Sequence, residues 1–119
     1  MNEASRWERP FRIEHYTISR GTLVLRSLMA DGRDTRVEIG FVGVRRISLP
    51  TNFDRVEITR KSLTDPALLA ALEPWSNEDL AYFAFQNDGD YVVATGFSCV
   101  EDYGDSRAKS RFGPLPGLW

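Results

Sequence analysis

Leu80-Ala81-Tyr82-Phe83-Ala84-Phe85-Gln86, then Asn87-Asp88-Gly89-Asp90, then Tyr91-Val92-Val93-Ala94-Thr95-Gly96-Phe97-Ser98-Cys99-Val100 is the stretch that decides the fold. In the first segment Ala81, Phe83 and Phe85 alternate with Tyr82, Ala84 and Gln86, the period of two expected of a strand with one buried face. The Asn-Asp-Gly-Asp cluster supplies a hairpin turn. The third segment reads as one return strand, with Tyr91, Val93, Thr95, Phe97 and Cys99 on one face. An antiparallel hairpin is therefore the clearest element of the chain.

A second hairpin stands upstream. Phe11 and Ile13 alternate with Arg12 and Glu14, but the next bulky pair is Tyr16 and Ile18. This one-residue slip predicts a bulge near His15. Ser19-Arg20-Gly21 is the turn, and Thr22 to Leu28 the return strand, with Leu23 and Leu25 on one face. Ala30-Asp31-Gly32-Arg33-Asp34 is a further turn. Thr35 to Leu49 then reads as one long bent strand or two, because Gly40 and Gly43 interrupt it. Arg36 and Glu38 lie opposite Thr35, Val37, Ile39 and Phe41. Pro50 ends this region, Thr51 to Asp54 is a loop, and Val56 to Thr59 is a short strand. Residues 1–10 read as a polar lead-in, with Trp7 at the core edge.

Asp65-Pro66 is a helix start, with Asp as N-cap and Pro in the first turn. Leu68, Leu69 and Leu72 form an apolar stripe, and Glu73-Pro74 stops the helix. Two turns do not persist alone, so the helix must pack on a sheet. No alternation of strands and helices appears, which excludes a doubly wound parallel sheet. The expected architecture is α+β, mainly β: an antiparallel curved sheet or small sandwich of six or seven strands with one short helix. The 119 residues suit a single domain, in which 111–119 form a Pro/Gly-rich tail, extended or disordered.

Composition excludes several function classes. No apolar run approaches the ~20 residues of a membrane helix. The polar start lacks the apolar core of a signal peptide, so the expected compartment is the cytoplasm. One Cys and one His exclude an intrachain disulfide and a Cys/His zinc cage. Charge is unevenly spread: residues 1–60 carry 11 Arg against 8 acids, whereas Ser62 to Ser106 holds nine acids and no Lys or Arg. Such a segment either faces the basic half or presents a negative surface to a partner.

No catalytic, cofactor or metal site is expected. His15 lacks a positioned partner, since Glu14 points to the opposite face in a regular strand. Cys99 lies beside Glu101 and Asp102, which oppose thiolate formation, and reads as a buried core thiol. A calcium loop counted from Asp88 needs Glu at its twelfth position and finds Cys99 there. Glycine-rich phosphate loops and nucleophile elbows are missing from the sequence, and Arg45-Arg46 and Arg60-Lys61 are too short a basic stripe for nucleic acid. Trp75, beside Pro74 and near Glu78 and Asp79, is the Trp expected to face a protein partner. Asp88, Asp90, Glu101, Asp102 and Asp105 complete the expected acidic binding surface.

The run from Thr35 to Pro50 (TRVEIGFVGVRRISLP), after a hairpin carrying Ser19-Arg20-Gly21-Thr22-Leu23-Val24-Leu25-Arg26, resembles small β-rich families of bacterial toxin-immunity proteins. The similarity spans roughly residues 11–59 and rests on a Phe-x-x-Val-x-x-Ile-x-Leu rhythm. It implies a cytoplasmic, non-catalytic protein that covers the active site of a toxin, and it assigns no individual binding residue.

The expected function is thus a non-catalytic protein-binding module, in its most specific form an immunity-type inhibitor acting through an acidic surface on a basic cleft. The alternative is a small-ligand carrier or sensor, with Tyr82, Phe83, Phe85, Tyr91 and Phe97 lining the concave face of a curved sheet. Neither reading calls for a cofactor, and the oligomeric state is left open.

Overall fold

A computed structural model describes residues 4–19, 21–27 and 35–102. It contains β1 (Ala4–Trp7), β2 (Phe11–Thr17), β3 (Thr22–Ser27), β4 (Arg36–Val42), β5 (Arg46–Ser48), β6 (Asn52–Phe53) and β7 (Val56–Lys61). Helix α1 (Pro66–Ala71) and a single 3-10 turn (Glu73–Trp75) follow, then β8 (Ala81–Ala84), β9 (Tyr91–Ala94) and β10 (Gly96–Asp102). The strands form two antiparallel five-stranded sheets, ordered β1-β7-β8-β9-β5 and β10-β4-β3-β2-β6. The fold is mainly β, in the sandwich form of the expectation, with one short helix.

The core lies between the sheets. Leu23, Leu25, Val37, Ile39 and Phe41 of one sheet meet Val56, Ile58, Phe83, Val92 and Ala94 of the other. Phe41 packs edge-on to Phe83 at 5.5 Å and stacks on Phe97 at 5.7 Å; Phe53 stacks on Phe85 at 5.5 Å. Burying these faces is the main stabilising term, at about 25 cal/mol per Å² of apolar surface removed from water.

Two of the chain's passages between the sheets, β4 to β5 and β9 to β10, lie side by side. Strand β4 belongs to one sheet and β5 to the other, so residues 35–49 make two strands, broken at Gly43 with φ +63°. The expected single strand from Tyr91 to Val100 is likewise two, broken at Thr95. Its backbone N–H and its hydroxyl both donate to the Val42 carbonyl, each at 3.0 Å. This corrects the facing of that segment. Val92 and Ala94 point into the core, Val93 points outward under α1, and Phe97 rejoins the core in the other sheet. The five aromatic rings of the carrier reading are divided accordingly: Phe83, Phe85 and Phe97 pack in the sandwich core, while Tyr82 and Tyr91 stack at 4.9 Å outside it.

The bulge is present, with the β2–β3 register shifting between Ile13 and His15. Residues 4–7 of the supposed lead-in form β1, which pairs with β7, and Trp7 packs on the core. The Thr51–Asp54 loop contains the short β6. The Asp65 side chain caps α1 by accepting from the Ala67 N–H. Leu68 and Leu72 are buried on Val93, but Leu69 is 44% exposed, because so short a helix presents only a narrow stripe to the sheet. Cys99 is exposed rather than in the core, because it lies on an edge strand past Phe97, the β10 residue that packs on the core. The expected turn at 30–34, Asp105 and the 111–119 tail lie outside the described residues.

Candidate functional site

The helix layer on the first sheet builds a groove. Pro74 stops α1 and tightens the chain into the 3-10 turn, whose Trp75 N–H donates to the Leu72 carbonyl at 2.9 Å. The Glu78 N–H in turn donates to the Trp75 carbonyl at 2.9 Å. The indole and the Glu78 carboxylate are thereby held on the same side of the helix. Ser62, Leu63, Leu69, Leu72, Glu73, Ser76 and Leu80 complete a groove of about 380 Å³ with them. Leucines and the indole supply its apolar lining; Glu73 and Glu78 supply carboxylates.

Arg45 anchors one end. Its backbone N–H donates to the Val93 carbonyl at 2.8 Å, which fixes the residue just after the Gly43 crossover. Its guanidinium lies 5.2 Å from the centre of the Trp75 ring, within cation–π reach. It also forms a two-pronged ion pair with Glu78, Nε to Oε1 and Nη2 to Oε2, both 2.7 Å. This is the fork geometry in which Arg and carboxylate bind best. The hydrogen bonds from Arg45 hold the Glu78 carboxyl below its usual range, and the same bonds raise the guanidinium. Trp and Arg, residue types enriched at binding hot spots, therefore meet where the crossover after Gly43 comes up against the helix layer.

The expected acidic surface is not one patch. Trp75 and Glu78 share the groove, and Asp79 is exposed beside it. Asp88 and Asp90 occupy the β8–β9 turn, at the far end of a strand that separates them from Asp79 by on the order of 20 Å. Glu101 lies on the edge of the other sheet and accepts from the Thr35 hydroxyl. Asp102 ends β10, and its side chain lies outside the described set, as does Asp105.

Sequence reading missed Arg45 as a site residue. Its recruitment depends on the crossover, and the only trace in the chain is an Arg two residues after Gly43. It also missed a charged layer on the outer face of the second sheet. Arg26 and Glu38, 2% and 0% exposed, pair at 2.8 Å; Arg26 also reaches Glu14 at 3.2 Å, and Arg36 stands 3.8 Å from Glu38. The bulge places His15 near this layer. Burial lowers its pKa, and its buried Nδ1 lacks a hydrogen-bond partner among the described residues. Among the described residues no group of three or more His, Cys, Asp or Glu is arranged to hold a metal ion. No helix among them is long and apolar enough to cross a membrane. No protein-family model, curated protein or solved structure matches this chain.

Proposed function

We propose that this protein is a non-catalytic protein-binding module that docks its partner in the groove bounded by Arg45, Trp75 and Glu78. The carrying observation is the Arg45–Trp75–Glu78 assembly: an indole held beside a 380 Å³ groove between a guanidinium and a carboxylate. The occupant it suits is an apolar side chain flanked by Lys or Arg. The leucines of the groove take the apolar group, and Glu73, Asp79 and Asp65 (all exposed around it) meet the basic flanks. An immunity-type inhibitor that covers the basic cleft of a toxin in the cytoplasm is the specific form of this reading. It is supported by the local excess of acid around the groove and by the resemblance over residues 11–59.

The test is affinity purification of the tagged chain from its native cell at low and high salt, run beside Trp75→Ala and Leu69→Asp. A stoichiometric partner with a basic domain is expected, with association slowed by salt. Trp75→Ala should weaken it by about tenfold or more, the range of a hot-spot aromatic. A partner retained equally by both variants, or bound at a salt-independent rate, overturns the proposal. A small molecule in native mass spectra, with no protein recovered, replaces it with the carrier reading.

A further inference from the structure

Among the described residues the two sheets have four edge strands, and three are protected in the usual ways. Natural edges are kept from pairing by shortness, charge or nearby proline. Strand β1 has four residues, carries Arg6 and is followed closely by Pro10. Strand β5 has three residues and begins with Arg46; β6 has two. The fourth, β10, has seven residues, and Gly96 to Val100 contains neither charge nor proline. Its pairing with β4 runs in unbroken register from Gly96 opposite Val42 to Asp102 opposite Arg36, so the strand carries no bulge that would blunt its outer side. Among the described residues no strand pairs with that outer side. Ser98 and Cys99, in its middle, are exposed.

We propose that this edge pairs antiparallel with β10 of a second copy of the chain, about a two-fold axis through Cys99. The choice of a second copy follows from the strand's self-complementarity. Cys99 is the middle residue of Gly96–Asp102, so this register alone pairs all seven residues with all seven. It sets Ser98 against the partner's Val100, Phe97 against the partner's Glu101 and Gly96 against the partner's Asp102. The four carboxylates fall at the two ends, each opposite a neutral residue, whereas an axis at Glu101 or Asp102 would oppose like charges. The two copies then share one ten-stranded sheet. Directly opposed residues have Cα atoms about 4.5 or 5.5 Å apart, according to hydrogen-bond phase, and both separations fall within the reach of a disulfide.

Sedimentation of the full chain in reducing buffer, from about 1 to 500 µM, tests this. A reversible dimer with a Kd of roughly 1–100 µM is expected, the range of a small interface. Diamide is then added; it accepts the two electrons and two protons released when two Cys99 thiols join. A disulfide-linked dimer should form in proportion to the non-covalent one. Cys99→Ser should keep the reversible dimer, while Cys99→Asp, which places two carboxylates on the axis, should weaken it at least tenfold with an unchanged circular dichroism spectrum. A chain that is monomeric at about 500 µM overturns the proposal. So does a dimer that Cys99→Asp leaves intact, or a monomer whose Cys99 resists a thiol reagent, which would place another segment over the edge.

Discussion

Gly43 and Thr95 stand against each other where the chain passes from β4 to β5 and from β9 to β10 between the sheets, so closely that a Cβ on Gly43 would lie 2.3 Å from the Thr95 hydroxyl oxygen. Gly43 also holds φ +63°, a left-handed conformation that costs other residues roughly 1–2 kcal/mol. Gly43→Ala should therefore destabilise the domain by about 2–4 kcal/mol. Gly89→Ala, at φ +87° with nothing within 4 Å of its Cβ, should cost only about 1–2 kcal/mol. Thr95→Ala removes the two nearest atoms, so the double variant should be more stable than the sum of the singles predicts. Urea unfolding of the four proteins decides the matter, and equal costs at Gly43 and Gly89 would show that the close approach is unimportant.

The helix gives a second contrast. Leu68 is 7% exposed against Val93, and Leu69 is 44% exposed over the groove. Leu68→Ala should cost about 2–4 kcal/mol, by lost burial and the cavity left behind. Leu69→Ala should stay within about 0.5 kcal/mol. Thermal denaturation of both reports whether α1 is held by its inner face alone.

Glu78 should give the domain an acid-sensitive contribution. Its folded-state pKa lies below the ordinary 4.5 because Arg45 hydrogen-bonds the carboxylate. Stability from this pair is then fully present above that ordinary value and is lost as pH falls through the folded one. Its size is modest, since both side chains are more than a quarter exposed and solvent screens the pair. Wild type and Glu78→Gln, compared in urea between about pH 7 and pH 3, should converge at the acid end; a constant gap across that range would mean that Glu78 acts through packing alone.

His15 titrates with the opposite chemistry but the same direction. Burial lowers its pKa below 6.5; Glu14 and Glu38 oppose that shift, and Arg26 adds to it. The unfolded chain therefore binds the proton first as pH falls. Stability is full above about pH 6.5 and declines below it, until the folded-state value is passed. The slope should disappear in His15→Gln, measured by urea midpoints between about pH 7.5 and pH 5. A slope that survives the substitution assigns it to another group.

The two hairpins, the bulge near His15, and the Asp65-Pro66 helix start were legible because each rests on local rules: alternation, turn chemistry and capping. The strand count was not, and neither was the facing of Tyr91 to Ala94. The core-facing positions change parity across Thr95, from Val92 and Ala94 to Phe97, but Val93 is buried as well under α1, so Val92-Val93-Ala94 reads as an unbroken apolar run that does not reveal the change. Trp75 and Glu78 were legible as neighbours of Pro74 on a loop. Arg45 was not, because its 30-residue separation from Trp75 closes only in three dimensions.

The sequence by itself determined the β character, the hairpins and the short capped helix, because period, turn residues and caps act within a few residues of one another. Only the tertiary structure decided which strands share a sheet, which side chains meet at the groove, and that Cys99 is exposed on the last strand of its sheet among the described residues. Those outcomes depend on burial between segments far apart in the chain, where packing of one sheet on the other overrides local preference.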